Sequence, residues 1–173
     1  MRQRCLMLGA GTSRVARCIF APTSAPEEET EWVTLDHYVP ADIDFNLWDL
    51  ETGSDLPGGP YDEIHAYEVL EHFGTQGDFM GLFRTFNALH RALKPGGYLI
   101  GSSPSWNGFW AWQDPGHCRI IGPGVLSFLE KKHYDQLGKT TSSDYRSFID
   151  PHWWSLEHSE LSDNEYFFAL RKC

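Results

Sequence analysis

The stretch that decides the fold reads Tyr-Asp-Glu-Ile-His-Ala-Tyr-Glu-Val-Leu-Glu-His-Phe over residues 61–73, followed by Leu-Lys-Pro-Gly-Gly-Tyr-Leu-Ile-Gly over residues 93–101. The apolar runs predict two buried strands, and the polar residues after the first run predict a loop that faces a ligand. A helical pattern and a Pro-Gly-Gly turn join the two runs. Together they predict one half of a parallel α/β sheet with its chemistry at the strand ends.

The same patterns extend over the rest of the chain. An apolar stripe at i, i+3, i+4 and i+7 predicts a helix over 77–93, and Pro123 is placed to begin another, with Val125, Phe128 and Leu129 facing inward. Short apolar runs predict strands at 4–8, 32–35, 43–47, 64–67 and 98–101, and an antiparallel hairpin from 153–156 and 166–170. We expect a brief helix at 13–20 and a long loop at 102–119. About seven residues join the second and third strands, too few for a crossover helix.

Composition limits the class of protein. A chain of 173 residues is expected to form a single domain, residues 1–173, and no apolar run is long enough for a transmembrane span. The formal net charge of −10 argues against nucleic acid as the main partner, which would need a basic face. The four cysteines are scattered and form no Cys-x-x-Cys pair, which favours free thiols and a cytoplasmic location. We expect no membrane partner and a monomer or homodimer.

A glycine loop and two aspartates predict where a nucleotide-like ligand binds. Gly9 and Gly11 follow the first strand, where backbone N–H groups approach a ligand, although an ordinary tight turn would use the same residues. Asp36 closes the second strand, where a carboxylate accepts from ribose hydroxyls. Asp49 is a candidate for the adenine amino group or a turn cap. A nicotinamide dinucleotide is the weaker alternative, because Arg14 replaces the third glycine of that fingerprint.

At this point the motifs resemble a known family. The order Leu-Gly-Ala-Gly at 8–11, Thr-Leu-Asp at 34–36, Asn-Leu-Trp-Asp-Leu at 46–50, Glu-Val-Leu-Glu-His at 68–72 and Leu-Lys-Pro-Gly-Gly at 93–97 resembles the class I S-adenosylmethionine-dependent methyltransferases. It is most similar to the type 11-like branch, and Asp-Pro-Gly-His-Cys-Arg at 114–119 fits the same branch. The resemblance covers nearly the whole chain.

The resemblance implies a fold and a set of ligand contacts. The fold is a Rossmann-like three-layer αβα sandwich with a seven-stranded sheet in the order 3-2-1-4-5-7-6, strand 7 antiparallel, and a shortened helix between strands 2 and 3. S-adenosylmethionine is the implied cofactor. By resemblance, Gly9, Ala10 and Gly11 would contact the methionine part of the cofactor, and Asp36 would bind the ribose. Asp49 and Leu50 would contact the adenine, and Tyr67 and Glu68 would line the cofactor after the fourth strand.

Two departures from the family pattern define an alternative. The acid that usually precedes the glycine loop is replaced by Met7 or Leu8, and a third glycine by Ser13. The connection between the second and third strands is short, which removes one wall of the adenine pocket. A binding or regulatory protein that has lost catalysis on the same fold is therefore an alternative to an active methyltransferase.

His72 and His117 are the candidate catalytic residues. Methyl transfer from a sulfonium needs mainly alignment, and a base only when the acceptor must lose a proton. An imidazole can accept such a proton near neutral pH, although either histidine would also serve to order its loop. Some relatives use a Glu-x-x-Glu-His pattern, here Glu68, Glu71 and His72, to hold magnesium or manganese, and many carry it without metal.

The acceptor is expected to be a small molecule. Trp106, Phe109, Trp110 and Trp112 fall on the segment after the fifth strand, which overhangs the acceptor site in this architecture. These aromatics would either wall an apolar or planar substrate or pack a lid onto the core. The acidic surface favours a neutral or cationic acceptor over an anionic one.

Overall fold

A computed structural model describes residues 2–12, 29–149 and 153–173. Seven strands form one sheet in the order β3-β2-β1-β4-β5-β7-β6, which confirms the predicted Rossmann-like topology. Strand β7 is antiparallel to both of its neighbours, and the other paired strands run parallel. The strands are β1 Gln3–Leu8, β2 Thr30–Asp36, β3 Ile43–Asp44, β4 Tyr61–Tyr67, β5 Leu93–Pro104, β6 Trp154–Leu161 and β7 Glu165–Lys172.

The centre of the sheet is built from the apolar runs seen in the sequence. Leu6 of β1 pairs with Val33 of β2 and with Ile64 of β4, and all three side chains are buried. Strands that are covered on both faces read as continuous apolar runs, which is why these segments were recognisable. Because β1, β2 and β4 are parallel neighbours, their carboxyl ends lie at one edge of the sheet.

Four α-helices lie in the described part of the chain: α1 Trp48–Thr52, α2 Phe79–Ala92, α3 Phe109–Gln113 and α4 Pro123–Ser127. Helix α2 confirms the predicted apolar stripe, and its Phe83, Phe86 and Leu89 are buried. The carboxylate of Asp78 accepts from the backbone N–H of Gly81 at 3.1 Å and caps the first turn. None of the described helices combines the length and the apolar character needed to span a bilayer.

Three local predictions need correction. Strand β3 covers only Ile43–Asp44, rather than 43–47, because Phe45 and Leu47 leave the sheet and pack against the core. The predicted loop at 102–119 is shorter, since β5 continues to Pro104 by pairing with β7, and α3 interrupts the rest. Helix α4 starts at Pro123 as predicted, but Leu126 is its buried residue in place of Val125.

Two further predictions concern the first half of the fold. Residues 37–42 join β2 to β3 without a helix, which confirms the short connection. The brief helix predicted at 13–20 falls outside the described residues. The hairpin predicted near the end of the chain is confirmed by β6 and β7, which are longer than the runs read from the sequence.

Candidate functional site

The loop after β1 is tied to the end of β2. Gly9 and Gly11 both have positive φ, at 55° and 53°, a conformation that glycine adopts without a steric penalty. The backbone N–H of Ala10 donates to the carbonyl of Leu35 at 3.3 Å. The N–H of Gly11 donates to Oδ2 of Asp36 at 2.9 Å. The two positions singled out in the sequence therefore meet at the same edge of the sheet.

Asp36 is held by backbone donors on both sides. Its Oδ1 accepts from the N–H groups of Tyr38 at 2.8 Å and Val39 at 3.3 Å, while Oδ2 faces Gly11. Burial by itself raises the pKa of Asp36, but the backbone donors of residues 11 and 37–39 outweigh it and hold the pKa below its ordinary value of 3.8. The side chain is therefore an ionised, fixed acceptor at the rim.

A cavity of about 420 Å³ opens beside this junction. It lies between the ends of β1, β2 and β4 and the segment that leads into α1. Its walls combine carboxylates, imidazoles and apolar rings: Gly9, Asp36, His37, Tyr38, Phe45, Asn46, Leu47, Trp48, Glu68, Val69, His72 and Phe73. No lysine or arginine is among these described lining residues, so the cavity suits a neutral or cationic ligand better than a phosphate.

Glu68 takes an unusual conformation at the floor of the cavity. Its φ is 53°, in the left-handed region that side chains other than Asn, Asp and Gly rarely adopt. Its N–H donates to the carbonyl of Ser102 at 3.0 Å, and its Oε1 accepts from the Ser102 hydroxyl at 2.7 Å. Residues held in such strained backbone states concentrate at functional sites. The next residue, Val69, packs directly over the Cα of Gly9.

Five of the predicted contact residues lie outside the cavity wall: Ala10, Gly11, Asp49, Leu50 and Tyr67. Leu50 is fully buried, and Asp49 is exposed in the first turn of α1. Ala10 is buried within the loop. The hydroxyl of Tyr67 turns back along β4 and lies 2.9 Å from Nδ1 of His65. The structure thus brings Gly9, Asp36 and Glu68 together around one space, and the other five predicted contact residues do not line it.

Sequence reasoning missed part of the wall. His37 and Tyr38 follow Asp36, and Phe45, Leu47 and Trp48 lead into α1, yet all of them line the cavity. Tyr38 is 84% exposed and Trp48 41% exposed, which is unusual for large rings. The sequence feature that could have predicted these residues is the short β2–β3 connection. It brings the segment that follows β3 over the same strand ends.

The two candidate catalytic histidines lie against each other. Their ring centroids are 4.8 Å apart and the planes cross at 72°. His72 lines the cavity and is about half exposed, while the side chain of His117 is only 8% exposed. Nδ1 of His72 lies 3.3 Å from the carbonyl of Gly116, and Nδ1 of His117 lies 2.9 Å from that of Trp110.

A buried carboxyl group, that of Glu71, lies beside the two histidines. Glu71 is 1% exposed, and neither of its carboxylate oxygens makes a hydrogen bond of standard geometry to a described residue. Its Oε1 lies 4.0 Å from Nε2 of His72. Burial raises the pKa of Glu71 to about 8; the residue's own backbone N–H acts against this rise, and the negative charges of Glu68 and Asp114 add to it.

The aromatic segment after β5 divides into two parts. Trp106 stacks edge-on against Tyr166 of β7, with ring centroids 5.4 Å apart, and so packs onto the core. Phe109, Trp110 and Trp112 of α3 are 67%, 59% and 65% exposed. The structure therefore supports packing for the first ring and an open apolar surface for the other three.

Comparisons with known proteins support the fold. No protein-family model and no curated protein matches the sequence. The N-methyltransferase NodS from Bradyrhizobium japonicum, solved with S-adenosylhomocysteine, matches with a TM-score of 0.51 and 14% identity over 98% of this chain and 78% of its own. A SAM-dependent methyltransferase from Archaeoglobus fulgidus matches with a TM-score of 0.55 and 13% identity over 99% and 86%.

A third match acts on a different kind of substrate. The 16S rRNA (adenine(1408)-N(1))-methyltransferase W203A mutant from Catenulisporales acidiphilia, solved with SAM, has a TM-score of 0.53 and 14% identity over 98% of this chain and 84% of its own. These structural matches show a class I methyltransferase fold, and at such low identity they show the fold alone.

Proposed function

We propose that this protein binds S-adenosylmethionine in the 420 Å³ cavity and transfers its methyl group to a small-molecule acceptor. The observation that carries the proposal is the junction of Gly11 with Asp36, which opens onto the same cavity as Glu68. Three neighbours of this fold are methyltransferases, and two of the three were solved with the cofactor or its product.

The residues present fit this cofactor. The cavity has the size of an ordinary small-molecule site, about 300–1,000 Å³. A Cβ on Gly11 would meet no atom of the described residues within 4 Å, so this part of the loop leaves room for a ligand against the backbone. S-adenosylmethionine carries a sulfonium and an ammonium, and Asp36 and Glu68 supply two carboxylates to that space. A dinucleotide would bring a pyrophosphate into a wall without basic residues among those described.

Each predicted contact residue has a place in this proposal. Gly9, Ala10 and Gly11 would bring the backbone close to the methionine part, and Asp36 would accept from the ribose hydroxyls. Asp49 and Leu50 would contribute to the adenine site indirectly, as parts of α1. The buried side chain of Leu50 anchors this helix, and Leu47 and Trp48 at its start line the cavity.

The wall after β4 has two further contributors. Glu68 would face the cofactor at the floor of the cavity, where its backbone is held in the left-handed conformation. Tyr67 would hold the end of β4 in place through its contact with His65.

The bound cofactor supplies a methyl group that is already activated by the positive sulfur. The protein's task is then to align the acceptor and to exclude water, which accounts for a large part of such rate enhancements. His72 faces the cavity, and His117 supports its ring from behind. We propose that this pair receives a proton from an acceptor that must lose one.

The proposed acceptor is a neutral or cationic small molecule. The exposed rings of α3 offer it an apolar surface, and the net charge of −10 disfavours nucleic acid. Cys5, Cys118 and Cys173 are free, which agrees with the proposed reducing, cytoplasmic location. The protein would work as a monomer or homodimer.

Calorimetry tests the proposal directly. The wild-type protein should bind S-adenosylhomocysteine with a 1:1 stoichiometry, and NADH should bind far more weakly. Crystals grown with S-adenosylhomocysteine should place its ribose against Asp36. Absence of heat with either S-adenosylmethionine or S-adenosylhomocysteine at millimolar concentration would remove the proposal.

A second candidate is a binding protein that has lost catalysis. It is favoured by Met7 and Leu8, which are buried apolar residues where related proteins carry an acid before the glycine loop. This candidate predicts cofactor binding without methyl release from labelled cofactor across acceptor panels. Release that depends on Asp36, measured by loss in Asp36→Ala, would exclude it.

A further inference from the structure

Three potential ligand atoms converge beside the cavity. One carboxylate oxygen of Glu71 and one ring nitrogen each of His72 and His117 all lie within 4.8 Å of one another. Bonds from a metal ion to such atoms are about 2.0–2.2 Å long, so small side-chain rotations would bring all three onto one ion. We propose that these three residues bind a divalent transition-metal ion.

The first argument is the state of Glu71. The side chain is almost completely buried, and neither oxygen makes a hydrogen bond of standard geometry to a described residue, although the residue's own backbone N–H is close enough to lower its pKa. Buried polar groups are nearly always satisfied, and a buried carboxylate without a partner is costly. The charges that act on it come from Glu68 and Asp114, and both are negative. A bound cation would satisfy the carboxylate and offset these charges.

The second argument is the orientation of the two imidazoles. A carbonyl oxygen only accepts hydrogen bonds, so the 3.3 Å contact of His72 with Gly116 and the 2.9 Å contact of His117 with Trp110 make Nδ1 the donor in each ring. The neutral ring then carries its lone pair on Nε2. Histidines that bind metals usually donate their other N–H to a carbonyl or carboxylate in this way.

The chemistry of the donor set selects the kind of ion. Two imidazoles and one carboxylate are typical of zinc, cobalt, manganese and iron sites, whereas magnesium prefers oxygen ligands and retains water. The sequence pattern placed Glu68 with Glu71 and His72, but the ligand atoms that lie within 4.8 Å of one another belong to Glu71, His72 and His117. His117 therefore takes the third position, and the preference shifts from magnesium to a transition metal.

The ion would lie where the proposed acceptor meets the cavity, because His72 lines that space and is about half exposed. Three protein ligands leave a position open for a water molecule or a substrate oxygen, as in catalytic zinc sites. With an ion bound, Nε2 of His72 is a ligand and no longer receives a proton. The metal proposal does not depend on cofactor binding, so the two proposals can fail separately.

Cobalt titration tests the site without any activity assay. The full chain is treated with EDTA, dialysed, and titrated with Co²⁺ while its visible absorption is recorded. We expect a single equivalent to produce d–d bands, and Zn²⁺ to displace it, while Mg²⁺ at a hundredfold excess does not. Absence of Co²⁺ binding below millimolar concentration in the wild-type protein would overturn the proposal.

Variants identify the ligands. Glu71→Gln and His117→Gln should each weaken Co²⁺ binding at least tenfold, the low end of the about 10- to 100-fold loss seen when even supporting residues of metal sites are changed. His158→Gln is the matched control, since Nε2 of His158 lies 3.4 Å from Glu160 on β6, away from the cluster. Equal binding by Glu71→Gln, His117→Gln and His158→Gln would also overturn the proposal.

A stability readout guards against misfolded variants. In EDTA, Glu71→Gln should melt close to the wild-type protein, because the amide has nearly the size of the buried carboxyl group, which makes no standard hydrogen bond to a described residue. Addition of Co²⁺ should raise the melting temperature of the wild-type protein and leave that of Glu71→Gln unchanged. If Glu71→Gln does not fold, the same comparison of melting temperatures is made with His117→Gln. A Co²⁺-induced rise in the melting temperature of that variant equal to the rise in the wild-type protein would count against the site.

Discussion

The backbone N–H of Gly11 donates to Oδ2 of Asp36 at 2.9 Å, which joins two segments that lie 25 residues apart in the chain. The bond fixes the loop after β1 to the end of β2, because parallel strands bring their carboxyl ends to the same edge. It also leaves Asp36 facing the cavity with an ionised carboxylate. The first predictions follow from this pair.

Removal of the charge at Asp36 should weaken cofactor binding. Asp36→Asn keeps the size of the side chain but loses a charged acceptor, and hydrogen bonds to charged groups contribute about 1.5–3 kcal/mol. We expect S-adenosylhomocysteine to bind about 10- to 150-fold more weakly by calorimetry. Asp135→Asn, on an exposed aspartate elsewhere, should bind as the wild type does. Unchanged affinity in Asp36→Asn would argue against the ribose contact.

The same residue should give the stability a defined dependence on pH. The folded pKa of Asp36 lies below its ordinary value of 3.8, so its stabilising contribution is complete above that value and is lost as the pH falls through the folded pKa. The difference in melting temperature between wild type and Asp36→Asn should stay constant from about pH 7 to 5 and narrow below about pH 4. A difference that grows on acidification would contradict this assignment.

Gly9 and Gly11 should respond differently to the same substitution. Both have positive φ, which costs an L-residue about 1–2 kcal/mol. A Cβ on Gly9 would in addition overlap Cγ2 of Val69, whereas a Cβ on Gly11 would meet no atom of the described residues within 4 Å. Gly9→Ala should therefore lower the free energy of unfolding by about 2–5 kcal/mol, and Gly11→Ala by about 1–2 kcal/mol.

Urea unfolding measures this difference, and a double mutant locates its source. In a Val69→Ala background, the cost of Gly9→Ala should fall toward that of Gly11→Ala, because the overlapping methyl group is gone. Equal costs for the two glycines in the wild-type background would refute the packing argument.

The buried ion pair of Arg119 and Glu51 should be sensitive to the loss of one partner. Nη2 of Arg119 lies 2.6 Å from Oε1 of Glu51, and their side chains are 5% and 10% exposed. Arg119→Met should lower the free energy of unfolding by about 3–5 kcal/mol, because it leaves a buried charge unpaired. The exposed pair of Arg146 and Asp144 is the control, and Asp144→Asn should cause no measurable change in urea unfolding.

Trp48 should contribute to adenine binding. It lines the cavity and remains 41% exposed, so a ring of the ligand can pack on it without displacing protein. We expect Trp48→Ala to weaken S-adenosylhomocysteine binding about 2- to 12-fold, the range of an aromatic contact of about 0.5–1.5 kcal/mol. Trp112→Ala on α3 should leave this affinity unchanged in the same calorimetric assay. A larger effect at Trp112 would place the adenine elsewhere.

The sheet could be predicted from the sequence because its strands carry a local signal. Buried runs such as Ile64 with its neighbours identify strands covered on both faces, and the stripe through Phe83 and Phe86 identifies a helix. The same signal misled us at 43–47. The alternation of apolar and polar residues correctly indicated that Ile43, Phe45 and Leu47 pack against the core. It carries no information on which backbone groups pair, and the pairing of β3 ends at Asp44.

The site was predictable only where residues follow strand ends. Gly11 and Asp36 could be expected to meet, since each closes a parallel strand of one sheet. The approach of His117 to His72 spans 45 positions and depends on how a loop folds back, and no local pattern records such a contact. The conformation of Glu68 at positive φ was equally hidden, because it opposes the intrinsic preference of that residue type.

The short connection between β2 and β3 affects how a bound ligand would leave the cavity. Residues 37–42 form no helix, and Tyr38 stands 84% exposed at the cavity rim. A nucleoside in this space would meet solvent along the side formed by residues 37–42, so this described part of the wall would not have to open before the ligand leaves. Exchange along this side would let the occupancy of the cavity follow the prevailing ratio of methyl donor to its spent form.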